Sequence, residues 1–351
     1  MAEIKQCSVV GIMSGTSLDG VDLALCHFKQ INGVWQYELT KAETIQYPED
    51  WLQQLQRAEF LNGRELMSLH SAYGTYLGQI VKQFCINQHV DAIASHGHTI
   101  FHEPQHGMTF QLGLGANIAA ASGFNVISDF RTKDVALGGN GAPLVPIGDE
   151  LLFGDYDMCL NLGGFANVSI KSSNGRLAFD ICPANMLLNR LCNKLELTYD
   201  DKGKLAREGF VNANVLEKLN ALDFYKQAGA KSLGKEWFDN SVWPLINELP
   251  VTDALATGVA HIAHQIACSL SDYKGTMLCT GGGVYNDYLM EQIQQNCSSI
   301  VLVKPQNEII EFKEAILFAF LGALYLNNKN NVLGSATGSG KNHIGGSLYY
   351  G

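Results

Sequence analysis

The stretch GIMSGTSLDGVDLAL, residues 11–25, sets Gly11, Gly15 and Gly20, the hydroxyls of Ser14, Thr16 and Ser17, and the carboxylates of Asp19 and Asp22 between two apolar runs. A glycine-rich turn between two strands produces this pattern, because glycine adopts backbone angles that side chains forbid. Such a turn is either a plain hairpin or a nest of backbone N–H groups that holds an anion. The pattern returns at DMCLNLGGFANVSI, residues 157–170. Around the first copy the chain reads strand (CSVVGIM), turn and strand (VDLALCHF), then a third strand (WQYELTKAETI) after the hairpin signal Asn32-Gly33. Around the second it reads strand, turn, strand, and then RLAFDI.

Each meander continues into helix and strand. Apolar residues return every three to four positions from about Arg64 to Gln88, ahead of the apolar run VDAIASHG. In the second half PANMLLNRLCNKL reads as a helix that begins at its proline, TDALATGVAHIAHQIACSL as a long helix, and GTMLCT as a strand. The duplication predicts an α/β fold of two related lobes, 1–133 and 134–351, the second with a polar helical insert at about 200–250. Lobes of this kind face each other across a cleft, where ligands bind.

Composition narrows the function. Lys and Arg number 24 against 34 Asp and Glu, a net charge of −10, which excludes a basic face for nucleic acid. No apolar run reaches the roughly 18–20 residues of a membrane span, and the N-terminus lacks the basic and apolar regions of a signal peptide. The nine cysteines form no C-x-x-C pair and lie mostly in apolar runs, as buried reduced thiols do. These features predict a cytoplasmic protein.

Three loops present free backbone N–H groups with no side chain in the way: Ser14–Gly20, Gly163-Gly164-Phe165-Ala166-Asn167, and Gly281-Gly282-Gly283-Val284-Tyr285-Asn286. The third is expected to open a helix, whose dipole adds to the attraction for phosphate. Asp19 and Asp22, next to Thr16 and Ser17, suit a hydrated Mg²⁺ that keeps waters and shares ligands with phosphates. The C-terminal GSATGSGKN, residues 334–342, imitates a P-loop without matching it: Ser335 stands where the first glycine belongs and Asn342 replaces the Ser/Thr. It reads as a mobile loop. SHGHTIFHEPQH carries His96, His98, His102 and His106; His96 and His98 would share one strand face, but no carboxylate or cysteine completes a metal set. Asp180 is the leading catalytic candidate, a carboxylate that ends the apolar strand LAFDI directly before Pro183; a helix-capping aspartate is the alternative. Asp129-Phe130-Arg131 places an acid beside a cation, either as an ion pair or as a clamp for a substrate carboxylate or phosphate.

These features run through the whole chain in an order that resembles the 1,6-anhydro-N-acetylmuramic acid kinase family, within the actin/hexokinase/Hsp70 ATPase superfamily. The resemblance is carried by GIMSGTSLDGVD (11–22), SHGHT (95–99), SDFR (128–131), GAPLVP (141–146), NLGGFANV (161–168), TGGGVYN (280–286) and EAILFA (314–319). It departs at the expected base, where the family's D-T-G-P-G-N is Asp180-Ile181-Cys182-Pro183-Ala184-Asn185. The resemblance implies two actin/hexokinase-like (ribonuclease H-like) lobes around an ATP/sugar cleft. It also implies an ATP- and Mg²⁺-dependent kinase that opens the anhydro bridge with water and phosphorylates O6. By similarity, Gly15, Thr16, Ser17, Leu18, Asp19, Gly20, Val21 and Asp22 hold the ATP phosphates and Gly281, Gly282 and Gly283 lie by the adenosine. Gly163 and Gly164 form the matching second loop. Arg131 and Glu314 contact the sugar, with Asp129 and His96 beside them. The implied setting is cell-wall (peptidoglycan) recycling by a cytoplasmic homodimer. The competing readings are a non-catalytic sugar sensor, which usually carries an added helix-turn-helix, and a kinase for another sugar or polyol.

Overall fold

The computed structural model describes residues 6–15, 18–173, 175–227 and 231–351. The chain divides into two compact units, Met1–Leu152 with Phe312–Gly351, and Phe153–Glu311. In the first unit, β1 (Gln6–Ser14), β2 (Val21–Ile31) and β3 (Val34–Ile45) form an antiparallel meander. On its other side β1 runs parallel to β4 (Ala92–Glu103), which takes β5 (Met108–Leu112) as an antiparallel partner and β6 (Val126–Ser128) as a parallel one. In the second unit, β7 (Met158–Leu162), β8 (Phe165–Ser172) and β9 (Gly175–Pro183) repeat the meander. Here β10 (Gly275–Thr280) runs parallel to β7, and β11 (Ile300–Val303) parallel to β10. The orders β3-β2-β1-β4-β6 and β9-β8-β7-β10-β11 match strand for strand. The duplicated α/β fold read from the sequence is therefore present. A last strand, β12 (Ser347–Tyr349), adds antiparallel to β6.

Strand alternation builds the first core. Val9, Ala24, Ala94 and Ile127 face the helix Asn307–Leu326, whereas Val10, Leu23, Leu25 and Ile93 face the helices Gly63–Phe84 and Gly115–Ser122. The helix Gly63–Phe84 starts where Asn62 and Glu65 form a reciprocal capping box, and it stops four residues short of the predicted Gln88. Asn32 and Gly33 both take left-handed angles (φ 52° and 83°), as a tight two-residue hairpin requires.

The division between units differs from the predicted one at 133/134. The first unit runs on to Leu152 and takes the chain back at Phe312, because Phe312, Ala315, Ile316 and Ala319 pack on the first sheet. Helical periodicity gives the apolar face but not the sheet it covers. The insert at 200–250 is helical, with short segments such as Lys204–Glu208 and Ala213–Asn220 in the second unit. The helix predicted to begin at Pro183 begins at Asn185, since Pro183 is still paired with Phe165 in the sheet. The segment 334–342 is tied down: Gly334 N–H donates to Asn342 Oδ1, and Val332 bridges His343. Eight cysteines are buried and all nine are free; Cys268 is exposed. No helix among the described residues is long and apolar enough to cross a membrane.

The long helix Val251–Ser269 carries His261, which is fully buried. Its Nδ1–H donates to Asn220 Oδ1 (2.7 Å), so Nε2 is free to accept from the Tyr225 hydroxyl (2.9 Å). Burial pushes its pKa down to about 3. The unfolded chain takes up this proton below pH ~6.5 and the folded chain does not, so stability is present above that pH and is lost as pH falls towards 3. The expected slope from this residue is about 1.4 kcal/mol per pH unit. Urea midpoints at pH 7, 6 and 5 should fall less steeply for His261→Gln than for the wild type; equal slopes would mean that His261 is not held neutral.

Candidate active site

The first glycine loop rises from the end of β1. Gly15 and Leu18–Gly20 are described; Thr16 and Ser17, both expected to hold phosphate, lie outside the described residues. Leu18 takes a left-handed angle (φ 60°). Beneath the loop, the buried Ser14 Oγ meets Tyr47 (2.7 Å), Tyr73 (2.9 Å) and His98 Nδ1 (3.1 Å), and the two phenols meet each other at 2.6 Å. Burial holds both phenols protonated, and Tyr73 donates to Ser14. Tyr47 must then donate to Tyr73 and Ser14 to Tyr47. Every hydroxyl proton is spent, so Nδ1–H of His98 supplies the remaining bond. Burial lowers the His98 pKa to about 4, which keeps it neutral. The closed ring fixes the strand end that starts the loop. Asp22, at the start of β2, accepts from Thr44 Oγ1 at 2.6 Å.

His96 and His98 were expected on one face, but they point to opposite faces. His96 packs on Phe318 with ring centroids 4.7 Å apart, whereas His98 lies against Tyr73 on the other side of the sheet. Gly97 between them is left-handed (φ 76°), and the β1–β4 register slips between Ile12 and Ser14. A bulge of this kind turns a side chain over. Among the described residues no group of three or more His, Cys, Asp or Glu is arranged to hold a metal ion.

Arg131 anchors a cluster of polar side chains in the first unit. Its Nε and Nη2 donate to His96 Nε2 (3.1 and 2.9 Å) and its Nη1 donates to the Gly141 carbonyl (2.7 Å). An arginine cannot accept, so Nε2 is the acceptor and His96 is neutral with its proton on Nδ1. Burial and the neighbouring Arg131 charge keep the His96 pKa well below its usual value. One N–H on each terminal nitrogen of Arg131 has no acceptor among the described residues, and both are donors of the kind that carboxylates and phosphates accept. Burial draws the Arg131 pKa down to about 10, with Glu314 and Asp134 opposing, so the side chain stays charged at neutral pH. Burial raises the Glu314 pKa; Arg131 and Lys313 oppose this, and Asp22 and Asp19 add to it. Glu314 therefore shares one electrostatic neighbourhood with Arg131, Asp19 and Asp22. Asp129 is exposed, with φ 61°, and accepts from Thr132 Oγ1.

In the second unit the carbonyls of Gly163 and Gly164 accept the N–H groups of Asn185 and of Ala184 and Met186. They cap the helix Asn185–Asn193. A Cβ at either glycine would meet nothing closer than 3.4 Å, so packing does not demand glycine there. Gly281 differs: it is left-handed (φ 84°), and a Cβ there would lie 2.5 Å from Asn161 Oδ1. The third loop does not open the following helix directly. A 3₁₀ turn, Gly282–Tyr285, intervenes, and the Asn286 side chain caps the helix Asp287–Asn296.

Asp180 lies inside β9 rather than at its end. It pairs with Asn167, and the register slips next to it, so that Ile181 is the extra residue. Asp180 does not cap a helix. Its Oδ2 accepts from Leu233 N–H (2.8 Å), and its own N–H donates to the Lys231 carbonyl (2.9 Å). Oδ1 has no donor among the described residues. Burial raises the carboxyl pKa, and the Leu233 N–H partly offsets the rise. One oxygen held and one open is the arrangement of a carboxylate that accepts a proton.

The family model for anhydro-N-acetylmuramic acid kinase matches residues 7–351. The chain belongs to this family. A relative named anhydro-N-acetylmuramic acid kinase from Francisella tularensis subsp. novicida (strain U112) is 34% identical, covering 100% of each chain. One of the same name from Bacillus cereus (strain B4264) is 34% identical over 97% of each. Among solved structures, a ROK family glucokinase from Streptomyces griseus in complex with glucose and AMPPNP covers 90% of this chain and 98% of its own. Its identity is 11% and its TM-score 0.42. Membership of the kinase family makes the chain a phosphotransferase.

Within the first unit the structure joins Arg131 to His96, and Glu314 feels the charges of Arg131, Asp19 and Asp22. Sequence reading missed Tyr47 and Tyr73, which only the fold brings to Ser14. It also missed Leu233, whose N–H carries no side-chain signal. Tyr73→Phe should break the hydroxyl ring and strand a buried donor on Tyr47. The expected loss is about 1–3 kcal/mol, read as a lower thermal midpoint. An unchanged midpoint would show that the ring does not hold the strand end.

Proposed function

We propose that this kinase uses ATP and water to convert 1,6-anhydro-N-acetylmuramic acid into N-acetylmuramic acid 6-phosphate. The half-held carboxylate of Asp180 is the observation that most supports a water-activating role. In the proposed reaction Asp180 Oδ1 takes a proton from a water that attacks C1. The C1–O6 bond breaks, and O6 forms its new bond to the γ-phosphorus as ADP leaves. Arg131 spends its open N–H pair on the acid group of the sugar, with His96 fixing the plane of the guanidinium. Glu314, beside it, is the second sugar contact.

The turn Gly15–Asp22 is the proposed cradle for the ATP phosphates, with Gly163 and Gly164 as the second loop and Gly281–Gly283 next to the adenosine. Mg²⁺ needs only one or two carboxylates when phosphates and waters supply the rest, and Asp19 and Asp22 fit that requirement. Bound there, the ion would neutralise phosphate charge. The setting proposed is recycling of cell-wall sugars by a cytoplasmic homodimer.

With ATP and the anhydro sugar, Asp180→Asn should lower kcat by about 10²–10⁴-fold while leaving ATP binding intact. Retained turnover would remove Asp180 from the role of base. The pH profile adds a second check. The carboxylate must be ionised to act and its pKa is raised, so kcat/KM should fall on acidification with a midpoint above the usual carboxylate range. A midpoint at or below that range would contradict the assignment.

A further inference from the structure

The P-loop imitation at 334–342 has no part in the roles assigned so far, yet it is built into the first unit with unusual care. The buried Asn331 closes the loop at its base: its amide donates to the carbonyls of Leu321 (3.1 Å) and Gly345 (3.0 Å), and its Oδ1 accepts from Gly345 N–H (2.7 Å). At the other end Thr337, fully buried, donates its hydroxyl to Asp134 Oδ1 (2.7 Å). Asp134 is fully buried too, and its Oδ2 accepts from Gly141 N–H (2.7 Å). The carbonyl of the same Gly141 takes Nη1 of Arg131 (2.7 Å). Asn140 N–H donates to the Thr337 carbonyl (2.7 Å), and Lys133 Nζ reaches the Ile344 carbonyl (2.8 Å). His343 faces the same carboxylate, with Nε2 3.6 Å from Asp134 Oδ1.

We infer that the C-terminal loop 331–345 positions Arg131 through the relay Thr337–Asp134–Gly141, making Thr337 and Asp134 positioning residues for binding of the sugar's acid group. The inference rests on the reading of Arg131 as the ligand of that group. A guanidinium fork recognises a planar anion only when its own plane is fixed. His96 holds one edge of Arg131, and the Gly141 carbonyl holds the terminal nitrogen next to the open pair. Gly141 has a left-handed backbone (φ 68°), so the direction of its peptide depends on what grips it. The grip is Asp134, and Thr337 orients Asp134. A structural role alone would lower stability without singling out one substrate.

The test is a double-mutant cycle on the full-length enzyme, with anhydro-sugar binding measured by calorimetry and KM for the sugar and for ATP measured by assay. Thr337→Val keeps the shape and removes the donor. It should weaken sugar binding about tenfold with KM for ATP unchanged, and Thr337→Ser should restore the wild-type value. In an Arg131→Met background, Thr337→Val should add nothing further to the loss of sugar binding. The same tenfold loss in that background would overturn the relay, as would equal effects on both substrates or failure of Thr337→Ser to rescue. Should Arg131→Met itself leave sugar binding unchanged, the assignment of Arg131 fails first and the relay with it.

Discussion

The first unit is organised around a contact that only glycine permits. A Cβ at Gly11, in the middle of β1, would fall on the backbone carbonyl of Ala315. The helix Asn307–Leu326 therefore lies on the sheet at backbone distance, and a second close approach brings Gly322 onto β4, where a Cβ would sit 2.7 Å from Ala94 Cβ. Once the helix is seated there, the position of its side chains follows. Phe318 packs on His96, and Glu314 comes within electrostatic reach of Arg131, Asp19 and Asp22. The first glycine of the opening stretch thus serves packing, while Gly15 and Gly20 shape the turn. One short sequence does two physical jobs.

The duplicated strands carry different chemistry at equivalent turns. In the first unit the turn is underpinned by the hydroxyl ring of Ser14, Tyr47 and Tyr73, and it carries the exposed Asp19. In the second, Gly163 and Gly164 give their carbonyls to a helix start and leave open space where a Cβ would fit. The bulge at Ile181 then turns the end of β9 so that Asp180 meets Leu233 N–H instead of capping the helix beyond it. The two units share one strand order. The local hydrogen bonds decide what each copy can do.

What the sequence makes legible follows from the range of each signal. Strand alternation, the Asn32-Gly33 hairpin and the glycine turns are local, and all of them appear where the residues place them. The home of the helix Asn307–Leu326 is a matter of which sheet its apolar face covers, and periodicity is silent on that. The reversal between His96 and His98 comes from a left-handed Gly97 and a slipped register, which a two-residue repeat does not reveal. Leu233 reaches Asp180 through its backbone, so its side chain gives no hint. The loop 334–342 looked mobile because it is rich in glycine and serine, but buried Asn331 and Thr337 hold it.

The central claim is that water opens the anhydro bridge while O6 receives the phosphoryl group, with Asp180 as base. Turnover in ¹⁸O-labelled water, quenched before the product's anomeric oxygen exchanges, tests it most directly. The label is expected at C1 of the sugar phosphate and absent from the phosphate. A product whose C1 carries no label, or label in free phosphate with no phosphorylated sugar, would contradict it.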